Sequence, residues 1–160
     1  MPQPSFVHLR LHSEFSIVDG IVRIDDAVAR AAADGMGALA LTDLANVFGM
    51  VDFYKSARKA GLKPIIGCDV WITNEAERDK PHRLLLLVRS RTGYLRLCDL
   101  LSRAYLENQH RGRGEIRKGW FAGGGADGLI ALSGATAGDV GSALLAGNAS
   151  AAEKFAAEWA

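Results

Sequence analysis

The sequence predicts an α/β fold on a mostly parallel sheet, and three observations predict it. Short apolar runs, rich in Leu, Ile and Val, recur along the chain. Stretches of helical period separate them, which is the alternation expected of βαβ units. Glycine and proline fall between the runs, at Gly35, Gly61 and Pro64 among others, where turns and helix ends are needed.

Taken in order, residues 6–11 read as the first strand. Residues 25–34 read as a helix. Asp25 and Asp26 suit its positive N-terminal end, and Gly35 supplies its stop. Residues 38–41 form a short buried strand ending in Thr42-Asp43. Residues 51–60 form a second helix. Gly61 suits the left-handed position after it, Leu62 offers the accompanying apolar contact, and Pro64 bars continuation. Residues 65–72 and 84–88 read as further strands. Residues 93–105 form a third helix, with Leu95, Leu97, Leu100, Leu101 and Ala104 as a broad apolar face. Residues 129–132 form a fifth strand, and 139–145 and 151–159 are closing helices. Residues 73–82 read as a surface turn, 107–118 as a long loop and 123–125 as a glycine connector. There is no internal repeat. The last helical pattern stops at Trp159-Ala160 without a cap, which reads as a cut end, so the expected sheet has an open edge inviting self-association.

The chain has 160 residues, one domain's length, and can bury a sizeable core. Lys and Arg total 19 against 18 Asp and Glu, so the balance argues against a protein that coats nucleic acid. Two cysteines without a CxxC pair exclude a disulfide framework and a zinc ribbon, and point to a reducing, cytoplasmic compartment. The opening Met1-Pro2-Gln3-Pro4-Ser5 lacks a leader pattern, and the longest apolar run, 84–88, is far too short to span a membrane.

Ligands of parallel α/β sheets sit at the carboxyl ends of strands. Here those ends carry His12, Asp43, Asp69, Arg89 and Ser133. His8, Arg10 and His12 alternate, so a strand would place all three on one face. A buried parallel strand is normally apolar on both faces, which makes this either a wet edge strand or part of a site. Imidazole and carboxylate suit a transition metal. Arg10 opposes that reading, because a guanidinium has no lone pair and repels a cation. A structural polar cluster therefore outweighs a metal site on the residues alone. Residues 134–141 could cradle phosphate, but they match no phosphate-loop pattern and read better as a glycine-rich turn. Arg111, Arg113, Arg117 and Lys118, near Tyr105, Trp120 and Phe121, could contact nucleic acid, with a solvated loop as the plainer reading. Cys68 and Cys98 read as small buried residues.

The run HLRLHSEFSIVDG (residues 8–20) resembles the opening of the polymerase and histidinol phosphatase (PHP) domain family, and its branch in bacterial replicative DNA polymerases. The likeness continues through ALALTDLANVFGMVDFYKSARKAGLKPIIGCDV (38–70), LLLLVRSRTGYLRLCDLLSRAYLEN (84–108) and GLIALSGATAGDVGSALLAGN (128–148). These blocks cover nearly the whole chain in family order.

The resemblance implies the N-terminal part of a distorted, TIM-like β/α barrel of about seven strands. Metal-binding members of the family carry His-x-His, Thr-Asp-His, Gly-x-Glu and a further His before the fourth strand. Here those positions hold Arg10-Leu11-His12, Thr42-Asp43-Leu44, Gly67-Cys68-Asp69 and Arg83. The implied cleft thus comprises His8, Arg10, His12, Asp19, Asp43, Leu44, Asp69 and Arg83, with Arg10, Leu44 and Arg83 as non-ligands and no metal expected. Arg10 is expected to pair with Asp43 or Asp69, at about 3–5 kcal/mol if the pair is buried. The same resemblance implies no catalytic residue in this stretch. It implies template-directed DNA synthesis, with Mg2+, by domains further along a full-length polymerase, and contacts to DNA and the replisome there. It implies docking of a proofreading exonuclease (epsilon) subunit as the role of this stretch. An active metal-dependent phosphoesterase is the alternative.

Overall fold

The computed structural model describes residues 6–160; the opening 1–5 lies outside the described residues. The chain divides into two compact units, Met1–Asp69 and Val70–Ala160.

In the first unit, α1 (Ile24–Ala33) and α2 (Met50–Lys59) pack with β1 (Ala38–Leu41) and the first half of β2 (Lys63–Ile72). Ile24, Val28 and Ala31 lie one helical stripe apart on α1 and are buried, as are Phe53 and Ala57 on α2. They close on Leu39, Leu41 and Leu62. Both helices end as the glycine spacing predicts. After α2, Gly61 has φ 77° and its N–H donates to the Arg58 carbonyl (3.2 Å), while Leu62 N–H donates to Ala57 (2.9 Å). After α1, Gly35 (φ 71°) and Met36 repeat the pattern on Ala32 and Ala31. β1 pairs parallel with β2, Ala38 beside Lys63 and Leu41 beside Ile66.

The expected strand over 6–11 does not form a ladder, and the reason is a slip in register. Ala40 N–H donates to the His8 carbonyl (3.0 Å) and Thr42 N–H to the Leu11 carbonyl (2.9 Å). Three residues on one side thus oppose two on the other, as in a bulge. The Leu11 N–H goes to the Thr42 hydroxyl instead (2.9 Å). The segment is extended but not strand, so strict alternation cannot assign its faces.

In the second unit the strand order is β4-β5-β2-β3-β6, with β2 entering from the first. β3 (His82–Val88) and β6 (Leu129–Ser133) are antiparallel, Leu84 beside Ser133 and Val88 beside Leu129. The sheet is therefore mixed rather than mostly parallel there. The expected long loop 107–118 is a hairpin of β4 (Gln109–His110) and β5 (Arg113–Ile116). Its two-residue turn, Arg111-Gly112, has φ 48° and 79°, the pair of left-handed residues that twists a tight hairpin correctly. β5 then runs parallel to the end of β2, Trp71 beside Glu115.

α3 (Arg91–Glu107) starts at Ser90, whose hydroxyl accepts from Gly93 N–H (3.2 Å), and buries Leu97, Leu100, Leu101 and Ala104. A β-carbon at Gly93 would collide with the Gly128 carbonyl, so this helix can pass the β6 entry only with glycine here. α4 (Asp139–Leu145) and α5 (Ala149–Trp159) follow as expected. Among the described residues no helix is long and apolar enough to cross a membrane.

Candidate functional site

Parallel pairing of β1 and β2 brings their carboxyl ends together. Asp43 follows β1, Asp69 lies within β2, and Asp69 N–H donates to the Asp43 carbonyl (3.1 Å). Both side chains are buried. The loop from residue 10 to 22 folds over them and supplies their partners.

Asp43 is held by neutral groups. Its Oδ1 accepts from Ser13 N–H (2.6 Å) and from the Ser16 hydroxyl (2.8 Å), and the Ser13 hydroxyl reaches Oδ2 (2.9 Å). Asp69 is held by basic side chains. Its Oδ2 accepts from Arg10 Nε (2.7 Å) and from His12 Nε2 (3.1 Å). Arg10 Nη2 also contacts it. Of the two carboxylates open to Arg10, the guanidinium takes Asp69.

His12 bridges two carboxylates, with Nδ1 2.8 Å from Asp19 Oδ1. Both ring nitrogens donate only in the imidazolium. The hydrogen bond to Asp69 accordingly raises the His12 pKa above its ordinary value, with Asp19 adding to it and burial opposing. Leu44 is buried, and its N–H donates to the Ser16 hydroxyl (2.9 Å). Cys68 is buried beneath, its Sγ 3.2 Å from the Asp43 carbonyl, and burial pushes its thiol pKa well up.

Arg10, His12, Asp19 and Asp69 are thus one connected set, with Asp43 and Leu44 beside it. His8 does not join them: it is exposed, its ring edge-on to Phe6 at 4.7 Å. Arg83 belongs to the second unit, where its guanidinium lies 4.3 Å over the Trp71 ring. Sequence reasoning missed Ser13, Ser16 and Asn46. Asn46 donates to the Phe15 and Leu44 carbonyls (3.0 Å each) and accepts from Phe48 N–H, tying down the loop. The signal available was local: Ser-x-x-Ser beside a charged His, with hydroxyls able to satisfy a buried carboxylate.

The residues do not fit the metal-binding pattern that the resemblance implies. A guanidinium lies on Asp69 where a cation would need its lone pairs, His12 is engaged at both nitrogens, and Leu44 offers no donor. Asp43 has its oxygens committed to serines. Among the described residues no group of three His, Cys, Asp or Glu could hold a metal ion.

Two other candidate regions resolve differently. The cations of 111–118 are engaged by carboxylates, at the surface for Arg111 with Asp79 (2.8 Å), and in partly buried pairs for Arg113 with Glu115 (3.3 Å) and Lys118 with Asp139 (2.6 Å). Arg117 donates to Asn108 (3.3 Å). Residues 135–137 form an exposed turn of 3-10 helix before α4, within the glycine-rich turn that the spacing suggested. Asp139 there also accepts from the Trp159 indole (2.9 Å).

Against known proteins, the PHP domain family matches residues 8–160. A DNA polymerase III subunit alpha of Neisseria meningitidis is 47% identical over all of this chain, covering 14% of its own length. That of Pseudomonas aeruginosa is 46% identical over 97% of the chain and 13% of its own length. The chain therefore spans about a seventh of these curated relatives. A solved amidohydrolase from Chromobacterium violaceum with bound sulfate is 22% identical over 61% of this chain and 32% of its own, with a TM-score of 0.49.

Proposed function

This chain belongs to the PHP domain family, and from that premise we propose that it is the N-terminal PHP segment of a bacterial DNA polymerase III alpha subunit. In this reading the full-length protein performs template-directed DNA synthesis in the cytoplasm, using Mg2+ and catalytic residues outside this segment. DNA and the replisome are contacted by those other parts. The segment itself is a non-catalytic structural domain that docks the proofreading exonuclease subunit.

The observation that carries the non-catalytic role is the Arg10 guanidinium seated on Asp69. By the resemblance, position 10 is a histidine in metal-binding relatives. An arginine there supplies fixed positive charge where a divalent cation would otherwise compensate the carboxylates. Asp43, its oxygens committed to the serines, is likewise withdrawn from the role of base or ligand.

Two measurements test the reading separately. Elemental analysis after dialysis, with a phosphomonoester assay in Mn2+ or Zn2+, is expected to show neither stoichiometric metal nor turnover. Tightly bound metal together with hydrolysis would replace this reading with the active phosphoesterase. Pull-down with the complete PHP region is expected to retain the exonuclease subunit, and failure to retain it removes the docking role.

A further inference from the structure

Ile17, Val18 and Ile21 are 86%, 85% and 92% exposed at the tip of the loop between Ser13 and Val22. Single exposed aliphatics are ordinary, but three nearly bare ones within one loop form the kind of patch that marks an interaction site. The tip is well braced. Ser16 N–H donates to Ser13 (2.9 Å), Gly20 N–H to Ser16 (2.7 Å) and Glu14 N–H to Val22 (2.9 Å). The serines beneath are fixed on Asp43, and a β-carbon at Gly20 would collide with the Ser13 carbonyl. A loop held this way loses little conformational freedom on binding.

At the base of the loop lies a groove of about 440 Å³. Glu14 and Arg23, from the two legs of the loop, line it with Asp25 and Asp26 of α1 and Asp52 of α2. Four carboxylates thus face one guanidinium, and Arg23 is itself 3.8 Å from Glu14. We propose that the loop tip and this groove together dock a protein segment that carries aliphatic side chains beside lysine or arginine. Charge selects that occupant. A nucleic-acid backbone has the same sign as the groove and is repelled. A bare cation gains nothing from the aliphatic tip. A second copy of the chain, meeting it about a two-fold axis, would bring the acidic groove toward itself. The proposal goes beyond the replicase reading and does not rest on it.

The test is a fluorescence titration of the intact chain with a short labelled Leu/Lys peptide, alongside its Leu/Glu counterpart and oligo(dT). Binding of the Leu/Lys peptide only is expected. Joint substitution of Ile17→Ser, Val18→Ser and Ile21→Ser is expected to weaken it about tenfold or more. Asp26→Asn with Asp52→Asn is expected to weaken it severalfold at low salt and less at high salt. Amide shift changes should centre on residues 14–26. The proposal is overturned if the Leu/Lys peptide does not bind, if the Leu/Glu peptide or oligo(dT) binds as well, or if both variants bind unchanged. Dimerisation that the serine variant abolishes would also overturn it, assigning the tip to a second copy. None of these results bears on metal content or exonuclease retention, so failure here leaves the replicase reading standing.

Discussion

Each unit buries a carboxylate against arginine, and the two do it differently. Glu115, on β5 of the second unit, is fully buried and divides its oxygens between Arg78 (3.0 Å) and Arg113 (3.3 Å), whose side chains are 35% and 27% exposed. Arg78 also donates to Asn108 Oδ1 (2.8 Å), and the Asn108 amide caps the Glu115 carbonyl and the Thr73 hydroxyl (2.8 Å each). Asp69 is as deeply buried, but its Arg10 partner is 53% exposed. The charge types are alike. Solvent separates them: the Glu115 set is woven into packing, whereas the Arg10 guanidinium stands half in water, where ion pairs are weak. The first arrangement builds the hairpin, and the second places a fixed positive charge on Asp69 at the edge of the first unit.

That contrast can be broken by mutation. Glu115→Ala should have the largest effect, a loss of about 3–5 kcal/mol, because it strands two partly buried guanidiniums and opens the Asn108 network. Urea unfolding measures it. A loss smaller than that of Arg10→Ala would reverse the comparison. Arg10→Ala should cost about 1–2 kcal/mol, below the range expected for a truly buried pair, and the loss should shrink in high salt. A salt-independent loss would mean that Arg10 acts through packing instead.

His12 sharpens the comparison through pH. Its pKa in the folded chain is raised above the ordinary 6.5 by Asp69 and Asp19. A raised histidine contributes stability that is fully present below 6.5 and lost as pH rises through the folded value. The stability gap between the unmodified chain and His12→Gln should therefore be widest in mild acid and close on the alkaline side. Unfolding midpoints over a pH series check this, and a gap that widens with pH would show that the neutral ring is the native form.

The fold was legible where periodicity and caps agree. The ends of α1, α2 and α4 and the span of β1 follow from glycine positions and apolar spacing. The site was legible in part from strand ends, which singled out His12, Asp43 and Asp69 with Arg10 alternating beside His12, and the resemblance joined them to Asp19 and Leu44 as one cleft. Two things were hidden for physical reasons. At 8–11 the bulge moves residues off strict alternation, so the strand reading fails although the backbone stays extended. In 107–118 the hairpin strands are short and charged, and Glu115 faces inward only because arginines from another loop and its own strand meet it there. No local pattern encodes such a partner. The serines holding Asp43 carry no periodic signature, and only their Ser-x-x-Ser spacing beside His12 points to them.

The smallest effect concerns that hidden hairpin. Arg111 occupies its first turn position with φ 48°, a left-handed conformation that suits asparagine better than arginine. It pairs with Asp79 (2.8 Å), and the Arg111 side chain is 66% exposed. Such a pair contributes little in water. Arg111→Asn should therefore stabilise the chain by about 0.5 kcal/mol, since relief of the strained turn outweighs the lost pair. The gain should grow slightly in high salt, where the pair is already screened. A small upward shift in the thermal midpoint of Arg111→Asn, absent in Arg111→Ala, would confirm the turn geometry. Equal behaviour of the two variants would show that the ion pair, and not the left-handed backbone, governs this turn.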